Sequence, residues 1–119
     1  MRGGMVWGVG LTNLERHVYD PQNGLPANTG LYQNKPPTNM DVPVDTVQQA
    51  VNIPDPQNPV GARGIGEPTQ GAMAAALASA ITDALEGHLF NTAPTTTDMI
   101  IDHLAGNDYS TKSLKTNTF

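Results

Sequence analysis

The chain has 119 residues, a net charge of −5 and no cysteine, which excludes disulfides, thiolate zinc sites and any iron–sulfur cluster held by this chain alone. Its six basic residues form no phosphate-tracking patch, so nucleic-acid binding is not expected. No apolar run approaches the roughly 20 residues of a membrane span, and the N-terminal run is too short and glycine-broken for a signal peptide.

Leu, Ile, Val and Phe make up only about a fifth of the residues, near the level at which an independent core becomes doubtful. Twelve glycines and ten prolines add long irregular connections, chiefly Gly24 to Pro43 and Pro54 to Gly66. A chain with so little to bury is expected to pack against a larger body.

In chain order, Gly3 to Arg16 reads as a helix with Gly4, Gly8 and Gly10 along one side. A helix-interior glycine costs about 1 kcal/mol against alanine, so three of them imply a backbone pressed against another element. His17 to Asp20 and Leu25 to Leu31 read as a short hairpin about the Pro21-Gln22-Asn23-Gly24 turn. Val42, Val44, Val47, Ala50 and Val51 mark a further strand, ending at Pro54-Asp55-Pro56. Thr69 to Glu86 is the clearest helix, with Met73, Leu77, Ile81 and Leu85 at four-residue spacing and Gly87 to end it. His88 to Phe90 is a candidate short strand. A last helix runs from Met99 to about Ala105, with Asp98 as its cap and Gly106 as its stop. The class is therefore α+β: a glycine-rich helix, a short hairpin and strand, an Ala-rich helix and a short C-terminal helix. Residues 1–106 form one segment, and residues 107–119 a polar surface tail.

His17, His88 and His103 fall in three different elements without ligand spacing, so no metal site is expected from them. Ser79 lies mid-helix and lacks the strained turn of a nucleophile elbow. Asp20, Asp41, Asp45 and Asp55 stand beside turn-forming residues and read as solvated turn carboxylates. The stretch that stands apart is Gly61-Ala62-Arg63-Gly64-Ile65-Gly66-Glu67-Pro68. Its glycines allow positive φ or close backbone approach, and Pro68 suits the first helical position. From the residues alone, Glu67 is either an acid that complements the helix dipole or a general base held at a glycine loop. A further reading is an anion at the Pro68 helix terminus.

This loop, with the run Ala74-Ala75-Ala76-Leu77-Ala78-Ser79-Ala80-Ile81-Thr82-Asp83-Ala84, resembles the C-terminal region of molybdenum hydroxylase large subunits, the xanthine dehydrogenase and aldehyde oxidase family. Gly3-Gly4-Met5-Val6-Trp7-Gly8-Val9-Gly10, Val18-Tyr19-Asp20-Pro21 with Asn23-Gly24, and Pro54-Asp55-Pro56 with Asn58-Pro59 follow in the same order, and Thr92 to Asp98 loosely so. The resemblance covers roughly residues 2 to 105. It implies part of a larger molybdopterin-binding domain, cleaved or separately encoded, in which Glu67 stands beside the molybdenum as general base and Gly64, Ile65 and Gly66 lie against the cofactor. No residue here is implied as a metal ligand.

The activity so implied is oxidation of an aldehyde or N-heterocycle with water-derived oxygen. The implied cofactor is molybdenum–molybdopterin, in bacterial members usually the cytosine dinucleotide form. Iron–sulfur clusters and FAD belong to partner chains or domains: the remainder of the molybdopterin-binding subunit, an iron–sulfur subunit and a flavin subunit. The setting so implied is cytoplasmic, with a periplasmic one as the alternative. The rival function is a non-catalytic assembly subunit whose loop only packs. Thr69-Gln70-Gly71 departs from the more apolar residues of many relatives, which leaves the substrate-side wall open.

Overall fold

A computed structural model describes residues 1–107. They form α1 (Arg2–Val9), a π-helical turn (Gly10–Leu14), α2 (Pro68–Ala84) and α3 (Thr97–Leu104), joined by long irregular segments. The tail expected from residue 107 onward lies, apart from Asn107, outside the described residues.

The glycines of α1 have the role their cost implies. A methyl group on Gly4 would overlap the Thr69 hydroxyl and stand 2.5 Å from the Gly66 carbonyl oxygen. One on Gly8 would lie 2.6 Å from Met73 Cβ and 2.8 Å from the Gln70 carbonyl oxygen. Backbone therefore meets backbone where α1 crosses the first turns of α2. The helix ends earlier than the expected Arg16. After Val9 the chain widens into the π turn, closed by Glu15 N–H donating to Gly10 O at 2.9 Å.

Pro68 opens α2 at its first position. The stripe of Met73, Leu77, Ile81 and Leu85 lies on one side, but each of the four is only half-buried. Glu86 (φ +55°) and Gly87 (φ +94°) leave the helix in the left-handed region, and Gly87 N–H donates back to Thr82 O at 2.9 Å. In α3 the cap position belongs to Thr96 rather than Asp98. Asp98 sits in the first turn, and its carboxylate meets Arg16 at 3.0 Å. Gly106 (φ +75°) stops α3 as expected.

The strands are the main difference from expectation. Among the described residues there is no ladder, only an isolated antiparallel bridge between Tyr19 and Pro26. The hairpin turn itself is well made. Asp20 accepts from Gln22 N–H (2.8 Å) and Asn23 Nδ2 (2.7 Å), and Ala27 N–H donates to Val18 O (2.7 Å). Pro26 cannot donate to a ladder, which limits the pairing. Residues 42–53 and 88–90 carry no strand.

The core is thin. Val9 and Met99 are the buried apolar residues among those described, accompanied by Thr12, Thr95 and Thr96. Thr12 Oγ1 donates to Gly8 O at 2.6 Å, and Thr95 N–H to Thr12 O at 2.7 Å, tying the approach to α3 onto the π turn. The radius of gyration is 18.2 Å, where a compact domain of this length would have about 13–14 Å. The accessible surface is 9494 Å², against about 6,200 Å² for a compact monomer of this mass. Trp7, Leu31, Tyr32, Met40, Val44, Val47, Val51, Ile53 and Val60 are all exposed.

The α1–α2 contact is testable by alanine substitution. Gly8→Ala should destabilise the fold, because overpacking against Met73 Cβ and a backbone carbonyl costs about 1–3 kcal/mol, more than the roughly 1 kcal/mol gained in helix propensity. Gly3→Ala, whose methyl group would meet nothing within 4 Å, should be neutral or stabilising. The denaturant midpoint should fall for Gly8→Ala and stay level or rise for Gly3→Ala.

Candidate functional site

The loop before α2 is built in two stages. Residues 54–62 fold on themselves about Asp55 and Asn58. Asp55 N–H donates to Gly61 O (2.9 Å) across the neck, and Gly61 takes φ +69° to close it. Asn58 Oδ1 accepts from Val60 N–H (3.1 Å) and Ala62 N–H (3.2 Å), while its Nδ2 donates to Ala62 O (2.8 Å). Asp55 Oδ1 accepts from Gln57 N–H at 2.9 Å, and Oδ2 receives Arg63 Nε at 2.6 Å. Asp55 is thus the organiser of the loop rather than a solvated turn acid. The Arg63 contact, followed by the Gln57 amide, holds its carboxyl below the usual carboxylate range.

The second stage is Gly64-Ile65-Gly66-Glu67. Neither Gly64 nor Gly66 has a positive φ, and a methyl group on either would meet nothing within 4 Å. Conformation and packing within the described residues therefore do not require glycine at these two positions; only Gly61 uses its freedom. What remains is a bare backbone face, open to a group arriving from outside, with Ile65 half-exposed between the glycines. The far end of the loop is clamped. The Thr69 hydroxyl donates toward Gly66 O (2.9 Å) and Met1 O (3.2 Å), joining the loop, α2 and the start of α1. Thr69, where the substrate-side wall could not be read, faces inward and fixes the loop.

Glu67 occupies the cap position of α2 with φ −72° and ψ −29°, and its side chain makes no capping hydrogen bond. Its carbonyl accepts from Gln70 N–H at 2.9 Å. The exposed carboxylate has no hydrogen bond or ion pair among the described residues. A fixed backbone carrying an uncommitted carboxylate can accept a proton or a hydrogen bond from a bound molecule.

Two arrangements emerge only in three dimensions. His88 and His103, fifteen positions apart in sequence, stack with centroids 3.7 Å apart and 18° between planes, with Phe90 edge-on to His88 at 4.6 Å. His88 follows the far end of α2, a helix about 25 Å long at 1.5 Å rise per residue whose other end carries Glu67. His17 instead pairs with Tyr19 at 6.1 Å. A polar cavity of about 280 Å³ lies below the start of α3, lined by Asn13, Arg16, Asn28, Gln33, Thr96 and Asp98 among others. Asn13 Oδ1 and Thr96 Oγ1 are buried there without a closed hydrogen bond. Thr96 Oγ1 nonetheless lies near enough to Asp98 to be the chief cause, ahead of Arg16, of that carboxyl's lowered pKa. No sequence signal marks either arrangement, since each joins segments that turns and helix ends bring together.

The Asp55 carboxyl titrates lower in the fold than in the open chain, so its contribution is present above the ordinary carboxylate pKa and lost as pH falls through the depressed value. The Asp55–Gly61 neck should stay closed at neutral pH and loosen only in acid below the ordinary carboxylate range, as pH falls through the depressed value. Amide exchange at Asp55 should accelerate in that window, and Asp55→Ala should show the fast exchange already at pH 7.

No protein-family model matches the chain. Over 108 aligned residues, 89% of this chain, it is 34% identical to the xanthine dehydrogenase molybdenum-binding subunit of Escherichia coli O157:H7. The same identity and coverage hold for the XdhA subunit of strain K12. The chain spans 14% of the length of these relatives. Over nearly nine-tenths of its length it is thus homologous to a segment of a xanthine dehydrogenase molybdenum-binding subunit.

Proposed function

We propose that the chain is the C-terminal portion of a molybdenum-dependent hydroxylase, contributing the glycine loop and the general base of its active centre. One observation carries this reading: the unpartnered Glu67 carboxylate stands at a clamped loop-to-helix junction, within a stretch homologous to a molybdenum-binding subunit. The bare backbone at Gly64 and Gly66 fits a bulky pterin group, because a side chain at either position would occupy the approach. When bound, the molybdenum–molybdopterin group, in its cytosine dinucleotide form, supplies the two-electron chemistry that no side chain here can supply.

The roles of the chain's own residues follow from their placement. Gly64, Ile65 and Gly66 offer amide backbone to the cofactor. Glu67 accepts, at a carboxylate oxygen, the proton released as water-derived oxygen adds to the electrophilic carbon of an aldehyde or N-heterocycle. Pro68, the Thr69 clamp and the Asp55–Arg63 contact fix the backbone from which that carboxylate extends. Electrons leave toward iron–sulfur and flavin groups carried by partner chains or domains. The compartment is the cytoplasm, and the α+β class belongs to the assembled domain.

The reading is tested in the molybdenum-bearing protein that contains or accompanies this chain. Glu67→Gln should leave the molybdenum content unchanged and lower turnover about 10²–10⁴-fold, the range for loss of a general base. Near-normal turnover at full molybdenum occupancy would instead favour the assembly role, with Glu67 a dipole-complementing acid.

A further inference from the structure

Asn23-Gly24 is the one asparagine–glycine pair in the chain, and both residues are exposed. Such a pair carries a reaction of its own. Gly24 has no side chain to obstruct the approach of its nitrogen to Asn23 Cγ. Once that nitrogen gives up its proton it can attack. The Gly24 N–Cγ bond forms, the Cγ–Nδ2 bond breaks, and Nδ2 takes up a proton and leaves as ammonia. Water then opens the cyclic imide at either carbonyl, giving aspartate or isoaspartate at position 23. Water is the only co-reactant, and nothing is oxidised or reduced.

Three hydrogen bonds hold the reacting groups in the fold. Gly24 N–H donates to Asp20 O at 2.8 Å, so the nucleophile keeps its proton while that bond is made. Asn23 Nδ2 donates to Asp20 Oδ2 at 2.7 Å, and Asn23 Oδ1 accepts from Leu25 N–H at 2.8 Å. The amide group is therefore held at both its polar atoms. Asp20 Oδ1 also accepts from Gln22 N–H at 2.8 Å, so this one residue braces the turn through carboxylate and carbonyl alike. The Leu25 bond draws electron density from Cγ and by itself favours attack. A protonated amide nitrogen is no nucleophile, however, so the bond to Asp20 O decides the rate.

We infer that Asn23 is a deamidation site kept closed by Asp20, reacting only when the Asp20–Gly24 turn opens. The inference stands independently of the molybdenum reading. Its product would not restore the turn. A carboxylate at position 23 has no donor for Asp20 Oδ2 and sets like charges where the 2.7 Å bond stood. Isoaspartate also adds a carbon to the backbone, which shifts the register of the Tyr19–Pro26 bridge. Modification is thus a one-way release of the hairpin, whose Val18 and Asn28 line the polar cavity below α3.

Deprotonation of the Gly24 nitrogen is also the step of base-catalysed amide exchange, so both reactions report the same opening. The full protein, with the partner chains it carries, is held in neutral buffer while peptide mapping follows the amide-to-acid mass change at Asn23. A synthetic peptide of residues 18–27 serves as the open reference, because an isolated two-stranded hairpin is marginal in water. Native Asn23 should lose its amide at least about tenfold more slowly than the peptide, and Gly24 exchange should be slowed by the same factor. Asp20→Ala should speed deamidation of the native protein about 10–100-fold, the equivalent of one lost charge-assisted bond. Native Asn23 reacting as fast as the peptide overturns the inference. So does an Asp20→Ala protein that folds but deamidates at the native rate. Where Asp20→Ala is not recovered the wild-type comparison decides, and a protected Gly24 amide beside fast loss of the Asn23 amide overturns it.

Discussion

The structure depends on the contact between the glycine side of α1 and the first turns of α2. Gly4 and Gly8 allow two backbones to approach where any side chain would hold them apart, and Thr69 locks the contact by reaching both Gly66 O and Met1 O. Because that lock closes on the last glycine of the loop, the same contact fixes the helix pair and the position of Glu67. The helix-propensity cost of the glycines is offset by dispersion between close backbones and by a hydroxyl serving two carbonyls. Losing the α1 contact would release the loop from one side and leave only the Asp55 and Asn58 turns to hold it.

Those turns form a second, independent support. The Asp55–Gly61 neck, the Asn58 bonds and the Arg63 contact are all local in sequence, so they can form before any long-range contact. The candidate site is thus braced upstream by short-range hydrogen bonds and downstream by a long-range helix crossing. Between the braces lie Gly64 and Gly66, whose missing side chains serve nothing else in the described chain. The polar cavity beneath α3 and the His88–His103 stack lie elsewhere and share no residue with this arrangement.

The thin core and the wide surface follow from the same division. Val9 and Met99 cannot balance the ordering of more than a hundred residues, and within the described residues the apolar stripe of α2 is only half-buried while Val44, Val47 and Val51 are exposed. A segment homologous to 14% of a longer subunit has no reason to carry a complete core of its own.

Much was legible in the residues because its causes are local. The three helices, Pro68 at the start of α2, Gly87 and Gly106 at helix ends, and the Asn23-Gly24 turn each follow from the φ values and donors of the residues concerned. The packing role of Gly4 and Gly8 was legible too, since their propensity cost had to have a reason. Glu67 could be singled out by its junction, though the residues alone left it between dipole acid and base. Tertiary structure decided what depends on contacts between distant segments: the partner of Gly4, the inward task of Thr69, Asp98 turned to Arg16, and His88 set on His103. It also decided that, among the described residues, the expected strands form no ladder beyond the Tyr19–Pro26 bridge, because a helix satisfies its hydrogen bonds within its own segment whereas a strand can do so only through a neighbour.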